Sequence, residues 1–458
     1  GRILQRAFGG HTYRRLAHVG DRTGLEMIRT LQDRGVHQGL DVFMECTVAR
    51  LFLDDGRIAG CLAYWRETGR FVVFKAKAIV MATGGIGKMF QITSNSWEYT
   101  GDGMAMAYEV GAELLDMEFT QFHPTGMVWP PGVRGILVTE AVRGEGGVLT
   151  NALGERFMER YDPKRMELST RDIVAKAINE EVGAGRGSPH GGVFLDISHR
   201  GHDYIIRKLP SMYHQFKDLA DVDITREPME VGPTMHYMMG GIRVDPETQA
   251  STVPGLYACG ECAGGMHGGN RLGGNSLSDL LVFGQRAGAA AAEYAKGTSQ
   301  GSMDPDQLDA TARELVAPFE RERGETPYDL QAALQETMQT GVGIVRDAAG
   351  LSRAIDGIAG IAQRMGGMWI EGTRLYNPGW HLSWDMRQML IIAEAVARAA
   401  LQREESRGGH TRLDFPESDH GYWESVNSIV RKKSDGSMET TTMPKPEMPE
   451  ELRALLAD

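Results

Sequence analysis

Two uninterrupted apolar runs, each closing on glycine, constrain this chain most: AIVMATGG at 78–85 and VPGLYACG at 253–260. A strand that is apolar on both sides must be buried on both faces, as in a parallel sheet covered by helices. Ligands of such sheets bind in the crevice beyond the carboxyl ends of the strands. Because the two runs lie far apart in sequence, the predicted fold is an α/β domain interrupted by an insertion. The spacing G-x-G-x-x-G, which would open a first βαβ unit, is missing: neither ATGGIGKMF nor GAGRGS (183–188) satisfies it.

The remaining patterns fill in the organisation. TGLEMIRTLQDR (23–34) reads as an amphipathic helix stopped by Gly35. VARLFL, IAGCLAYWR and FVVFKA, separated by DDGR (54–57) and ETGR (67–70), predict a three-stranded meander. From about 120 to 236 charged residues and glycines mix with helical stretches such as TRDIVAKAINEEV (170–182). A glycine-rich loop then runs into a helix, and 305–405 is mostly helical. The charged, proline-bearing tail (431–458) is expected to be extended on a surface.

Composition excludes several classes. A formal charge of −12 over 458 residues argues against a nucleic-acid partner. The richest apolar stretch, MLIIAEAVARAAL (389–401), is broken by Glu394 and Arg398, so no membrane span is expected. Four cysteines (Cys46, Cys61, Cys259, Cys262) are too few for a disulfide scaffold and offer no metal cluster; none is expected to hold metal. Cys259 and Cys262 have redox spacing but read as structural. The chain opens on GRILQRAFGG without a Met, which reads as a fragment or a processed product.

Charge meets tight backbone in four places. These are QFHPTG with His123, TEAVRGEGG with Glu140 and Arg143, STRDIVAK with Arg171, and the pair TMHYMMGG and GGNRLGGNSLSD with His236 and Arg271. Arginine grips a carboxylate with two parallel bonds and histidine adds one, so these residues suit a small dianion. Singly, each also fits an ordinary structural role. Glu140 and Arg143, three apart, could be a plain helical ion pair.

In order along the chain, ATGG, TGDGMAMA, EFTQFHPTG, TEAVRGEGG, GERFMERY, TRDIVA, HYMMGG, GLYACGE, GGNRLGGNSLSDLLVFG and ESRGGHTRLDFP closely resemble the flavoprotein subunit of succinate dehydrogenase and fumarate reductase. The resemblance implies a Rossmann-like FAD-binding domain (its N-terminal part missing), interrupted by an α+β capping domain and followed by helical and C-terminal domains. The implied divisions are 1–119 and 237–300 for FAD, 120–236 for the cap, 301–405 helical and 406–458 C-terminal. His123, Thr139, His236 and Arg271 would hold the dicarboxylate, succinate or fumarate. Arg171 would move the proton, with Glu140 and Arg143 as its relay. Gly84, Gly85, Asp102, Glu261, Ser276 and Leu277 would contact FAD, and a histidine bonded covalently to the flavin is expected upstream of Gly1. The resemblance further implies a membrane anchor, an iron–sulfur subunit, and a peripheral position on the cytoplasmic face of the bacterial membrane or the matrix face in a mitochondrion. Three alternatives remain: an L-aspartate oxidase-like flavoenzyme, a soluble haem-bearing fumarate reductase, and an inactive fragment lacking FAD.

Overall fold

The computed structural model describes residues 3–456. The two glycine-closed runs meet as expected: Leu256–Ala258 lies parallel to Ile79–Met81, with Leu256 opposite Ile79. Beyond their carboxyl ends the chain turns at Gly84 (φ 73°) and Gly260 (φ 69°), a left-handed backbone that glycine adopts at least cost. The long helix Asn275–Gly297 packs across both strands.

The predicted meander forms from Cys46–Asp54, Arg57–Trp65 and Phe71–Lys75, all antiparallel. Asp55 and Gly56 both take positive φ at its first turn, the geometry that matches strand twist in a two-residue hairpin. The first helix is longer than expected, running Thr23–His37 through Gly35. Its stop is Gly39 instead, whose φ of 68° supplies the left-handed turn after the Gln38 cap.

The intervening segment builds a four-stranded antiparallel sheet in the order Thr120–Met127, Met229–Met238, Val193–Asp196, Val148–Thr150. The helix Arg171–Gly183 covers it, burying Val174 and Ile178 against Leu149, Val193 and Val231. Met229–Met238 tolerates Pro233 because the register breaks there, between Gly232 and Thr234. A second break leaves His236 unmatched between Met235, opposite Phe122, and Tyr237, opposite Gln121. Such bulges re-aim one side chain out of the regular alternation.

Three helices, Pro327–Gly341, Ala348–Arg364 and Pro378–Gln402, pack side by side. Thr326 and Asp329 form a reciprocal capping box at the start of the first. The charged tail is not a loose extended segment. Val426–Lys432 and Met438–Pro444 form a hairpin turning at Gly436, and Ile429 and Val430 add it to the strand Leu114–Leu115. Ile429 and Val430, just before the tail, are buried on opposite faces of this strand and hold the hairpin down despite the charge that follows. Arg403 locks this junction from the interior, donating to Glu118 and Glu405 while Ser428 binds Glu118. No helix among the described residues is long and apolar enough to cross a membrane.

Candidate active site

Arg171 is the first residue of its helix, which throws its side chain back toward the sheet. There Nε donates to Glu140 Oε2 at 2.9 Å and Nη1 to Gln121 Oε1 at 3.0 Å. Glu140 immediately precedes the short helix Ala141–Gly144, and its other oxygen accepts the Gly9 N–H. Gly9 must lack a side chain here, since a Cβ would meet that oxygen at 2.5 Å. Arg143, three residues on, places Nη2 3.7 Å from Glu140 Oε2, with both side chains at most 1% exposed. Burial alone would raise the Glu140 pKa, but the guanidiniums of Arg171 and Arg143 and the Gly9 N–H outweigh it and hold the carboxyl below its usual value.

The second arginine arrives from the glycine-rich loop. Arg271 donates Nη1 to Ser276 Oγ at 3.1 Å and Nη2 to the same Gln121 oxygen at 3.1 Å. Its guanidinium also lies 4.2 Å from the Tyr237 ring centroid, a cation–π contact. Burial and the nearby Arg171 charge lower its pKa to about 9.

His123 and His236 come together across the paired strands, with ring centroids 5.1 Å apart. Nδ1 of His123 is held at the Thr125 carbonyl (3.1 Å), and Nδ1 of His236 at Ser94 Oγ (2.8 Å), which leaves Nε2 of His236 for a ligand in the cavity that it lines. Burial, then the Arg171 charge, pushes both pKa values well below the usual range, so both rings are neutral. A cavity of about 950 Å³ is lined by Thr139, Arg171, His236, Arg271, Ser276 and Leu277 among others. His123, Glu140 and Arg143 stand buried behind that lining.

The other expected cofactor contacts form a separate group at the ends of the parallel strands. Gly85 packs against Glu261, where a Cβ would strike the carboxylate at 2.0 Å. Glu261 accepts the Met238 N–H at 3.0 Å, and burial raises its pKa to about 8. Asp102 opens the helix Asp102–Glu109 after the left-handed Gly101, and burial raises its pKa to about 6. These residues fit part of a dinucleotide. The helix Asn275–Gly297 begins after left-handed Gly274 with no side-chain cap, and its Asn275 and Leu277 amides donate to the Leu272 and Gly274 carbonyls at 3.2 Å. Thr83 Oγ1 and Asp279 Oδ1 are buried and make no hydrogen bond among the described residues.

Gln121 escaped the sequence reading although it bridges both arginines. Its Nε2 donates to the Arg271 carbonyl (2.7 Å) and to Asn270 Oδ1 (2.6 Å), which fixes its oxygen toward the guanidiniums. The signal was present: Gln121 precedes His123 by two on one strand, so both face the same side. Tyr237 was missed because stacking under an arginine leaves no mark in sequence.

The FAD binding domain family matches residues 1–277, and the fumarate reductase flavoprotein C-terminal family matches 331–452. The chain is similar to the fumarate reductase flavoprotein subunit of Mycobacterium tuberculosis, 38% identical over 97% of this chain and 79% of that protein. Among solved structures, Mycobacterium smegmatis Sdh1 in complex with UQ1 superposes with a TM-score of 0.87 at 53% identity, over 100% of this chain and 79% of that one. An E. coli quinol fumarate reductase flavoprotein superposes with a TM-score of 0.91 at 34% identity, over 98% and 79% respectively. These likenesses do not favour the aspartate oxidase or flavin-free readings. The chain belongs to the family of succinate dehydrogenase and fumarate reductase flavoprotein subunits, FAD-dependent oxidoreductases.

Proposed function

We propose that this chain interconverts succinate and fumarate, with Arg171 moving the proton and Arg271, His123, His236 and Thr139 holding the dicarboxylate. The observation that carries the reading is electrostatic. Arg171, Arg271 and Arg143 bring three positive charges and Glu140 one negative, so this buried group carries a surplus of two. A C4 dicarboxylate carries the opposite two, and both histidines are neutral. Taking the dianion out of water is compensated inside the site rather than by solvent.

FAD, when bound, supplies the hydride acceptor or donor. Ser276, Leu277, Glu261, Asp102, Gly84 and Gly85 would hold it. Arg271 grips one carboxylate, and Nε2 of His236 approaches the other. Arg171 gives its proton to the substrate carbon adjacent to the one that takes the hydride. A free arginine is a poor acid, with a pKa above about 12. Here Glu140 and Arg143 stand in line behind it and replace the proton as it leaves, so neutral Arg171 is short-lived. Its charge also stabilises the anionic transition state.

The domain divisions 1–119 with 237–300, 120–236, 301–405 and 406–458 belong to the same reading. So do a membrane anchor, a peripheral position at the membrane and an iron–sulfur subunit. Any covalent histidine link to flavin lies outside residues 1–458 in this reading. The test is the flavin-loaded protein assayed for succinate oxidation with an artificial acceptor and for aspartate-dependent peroxide release. Succinate activity alone supports the reading, and aspartate activity alone overturns it.

A further inference from the structure

Arg271 is a buried cation whose direct partners among the described residues are all neutral: the Gln121 oxygen, the Ser276 hydroxyl and the face of Tyr237. Gln121 and Ser276 hold the edge of the guanidinium, and the Tyr237 ring holds its plane. A cation is drawn to the face of an aromatic ring and not to its rim, so this hold depends on how the ring is turned.

A buried triad from three elements fixes that ring. Tyr237 follows His236 on its strand, His267 stands in the glycine-rich loop four residues before Arg271, and Asp279 lies in the second turn of the helix Asn275–Gly297. Nε2 of His267 is 3.2 Å from Asp279 Oδ2 and 3.2 Å from the Tyr237 phenol oxygen, and the phenol donates to the same Oδ2 at 3.5 Å. The His267 and Asp279 side chains are 7% and 3% exposed. Asp279 Oδ1 makes no hydrogen bond among the described residues, so the carboxylate is held through Oδ2. Burial raises the phenol pKa, and the hydroxyl keeps its proton. Donation to a carboxylate polarises the phenol and makes its ring face more negative. Neither His267 nor Asp279 lines the cavity that Arg271 lines, so they reach it only through Tyr237.

On the reading that Arg271 holds the dicarboxylate, we propose that His267 and Asp279 are positioning residues for substrate binding, keeping the Tyr237 ring face under Arg271 and its guanidinium aimed at the carboxylate. No proton or electron moves through the triad. An arginine ordered before the substrate arrives loses little further freedom when it binds.

The test is succinate binding by titration calorimetry, with KM and kcat, on the flavin-loaded enzyme. Tyr237→Leu removes the ring face and is expected to weaken Kd by about tenfold to thirtyfold, the scale of a desolvated cation–π contact. Asp279→Asn keeps the ring but removes the charge behind it, and is expected to weaken Kd by about threefold to tenfold. In both, KM should rise with Kd while kcat stays within about twofold, the pattern of lost uniform binding. Burial and Arg171 lower the Arg271 pKa and Tyr237 opposes them, so in Tyr237→Leu the alkaline loss of affinity should begin at lower pH. The charged groups that act on Arg271, namely Arg171, Glu261 and Glu140, are intact in these variants. His267→Leu should match Asp279→Asn, and His267→Gln, which keeps a donor, should recover most of the loss. Tyr161→Phe removes another phenol–carboxylate bond, to Glu181 in the cap, and should leave Kd at the parental value. Parental Kd in either Tyr237→Leu or Asp279→Asn would overturn the inference, even with a lowered Tm, because the triad would then only stabilise the fold. Should Asp279→Asn fail to fold, His267→Leu against His267→Gln decides. Unchanged Kd in Arg271→Lys would instead sink the underlying reading, a separable result.

Discussion

Arg171 and Arg271 donate to one oxygen, Oε1 of Gln121, at 3.0 and 3.1 Å, so two like charges from different parts of the chain are held in one site by a neutral amide. Repulsion between them is part of what lowers the Arg271 pKa. Without substrate the pair is kept together by this oxygen, Glu140 and Ser276. Gln121→Leu preserves bulk and removes the acceptor. A buried bond to a charged donor is worth about 1.5–3 kcal/mol. Steady-state kinetics should therefore show kcat/KM reduced by about tenfold to a hundredfold. Gln121→Glu, which cancels one of the two surplus charges, should raise KM more than it lowers kcat.

The Arg271 pKa of about 9 sets an alkaline limit on binding. Below that value the guanidinium is charged and dicarboxylate affinity is flat. Above it the free site loses the charge, while a bound dianion favours keeping it. Affinity should then weaken by up to about tenfold per pH unit, as linkage requires. Titration calorimetry with succinate from neutral pH to about pH 10 checks the break.

His123, His236 and His410 are neutral for the same reason: burial first, then a neighbouring arginine, Arg171 for the first two and Arg346 for the third. Each folded pKa lies below the unfolded one, so below about pH 6.5 the unfolded chain binds more protons and stability falls as pH falls. Nuclear magnetic resonance of labelled histidines should find these three rings not titrating between about pH 6 and 8 in the dicarboxylate-free protein.

Asp385 behaves oppositely. Burial, then the carboxylates of Asp102 and Glu98, raises its pKa to about 8. A carboxyl whose folded pKa is raised binds its proton more tightly in the folded state, so its contribution falls as pH rises from about 4 through 8. Asp385→Asn should raise Tm by a few degrees at about pH 8.5, and the gain should shrink by about pH 5. Calorimetric melting at both values tests this.

How much of this was legible depended on the kind of signal. The parallel pair Ile79–Met81 and Leu256–Ala258 could be read because each strand is an unbroken apolar run, although only Leu256–Ala258 is buried throughout and Val80 is exposed. The meander could be read from DDGR and ETGR, whose turn chemistry is local. Gly35 misled because a single helical glycine costs only about 1 kcal/mol, and neighbouring turns carried the helix to Gly39. The tail misled because its hairpin is fixed by pairing with Leu114 and Leu115, far away in sequence. In the site, the residues singled out by motifs meet in space, whereas Gln121, Tyr237 and the Glu167 main chain, which join them there, carry no mark in the sequence. Each of these acts on an arginine that only the fold brings near.

The most direct test is kcat for fumarate reduction by Arg171→Lys in the complete flavin-loaded enzyme, with dicarboxylate affinity measured on the same preparation. Lysine keeps the charge but loses the fork that meets Glu140 and Gln121 together. The account predicts a loss of about a hundredfold to ten-thousandfold in kcat, the range for removing a positioned acid, with Kd changed by less than about tenfold. A kcat within about threefold of the parent, with flavin bound, would contradict the account.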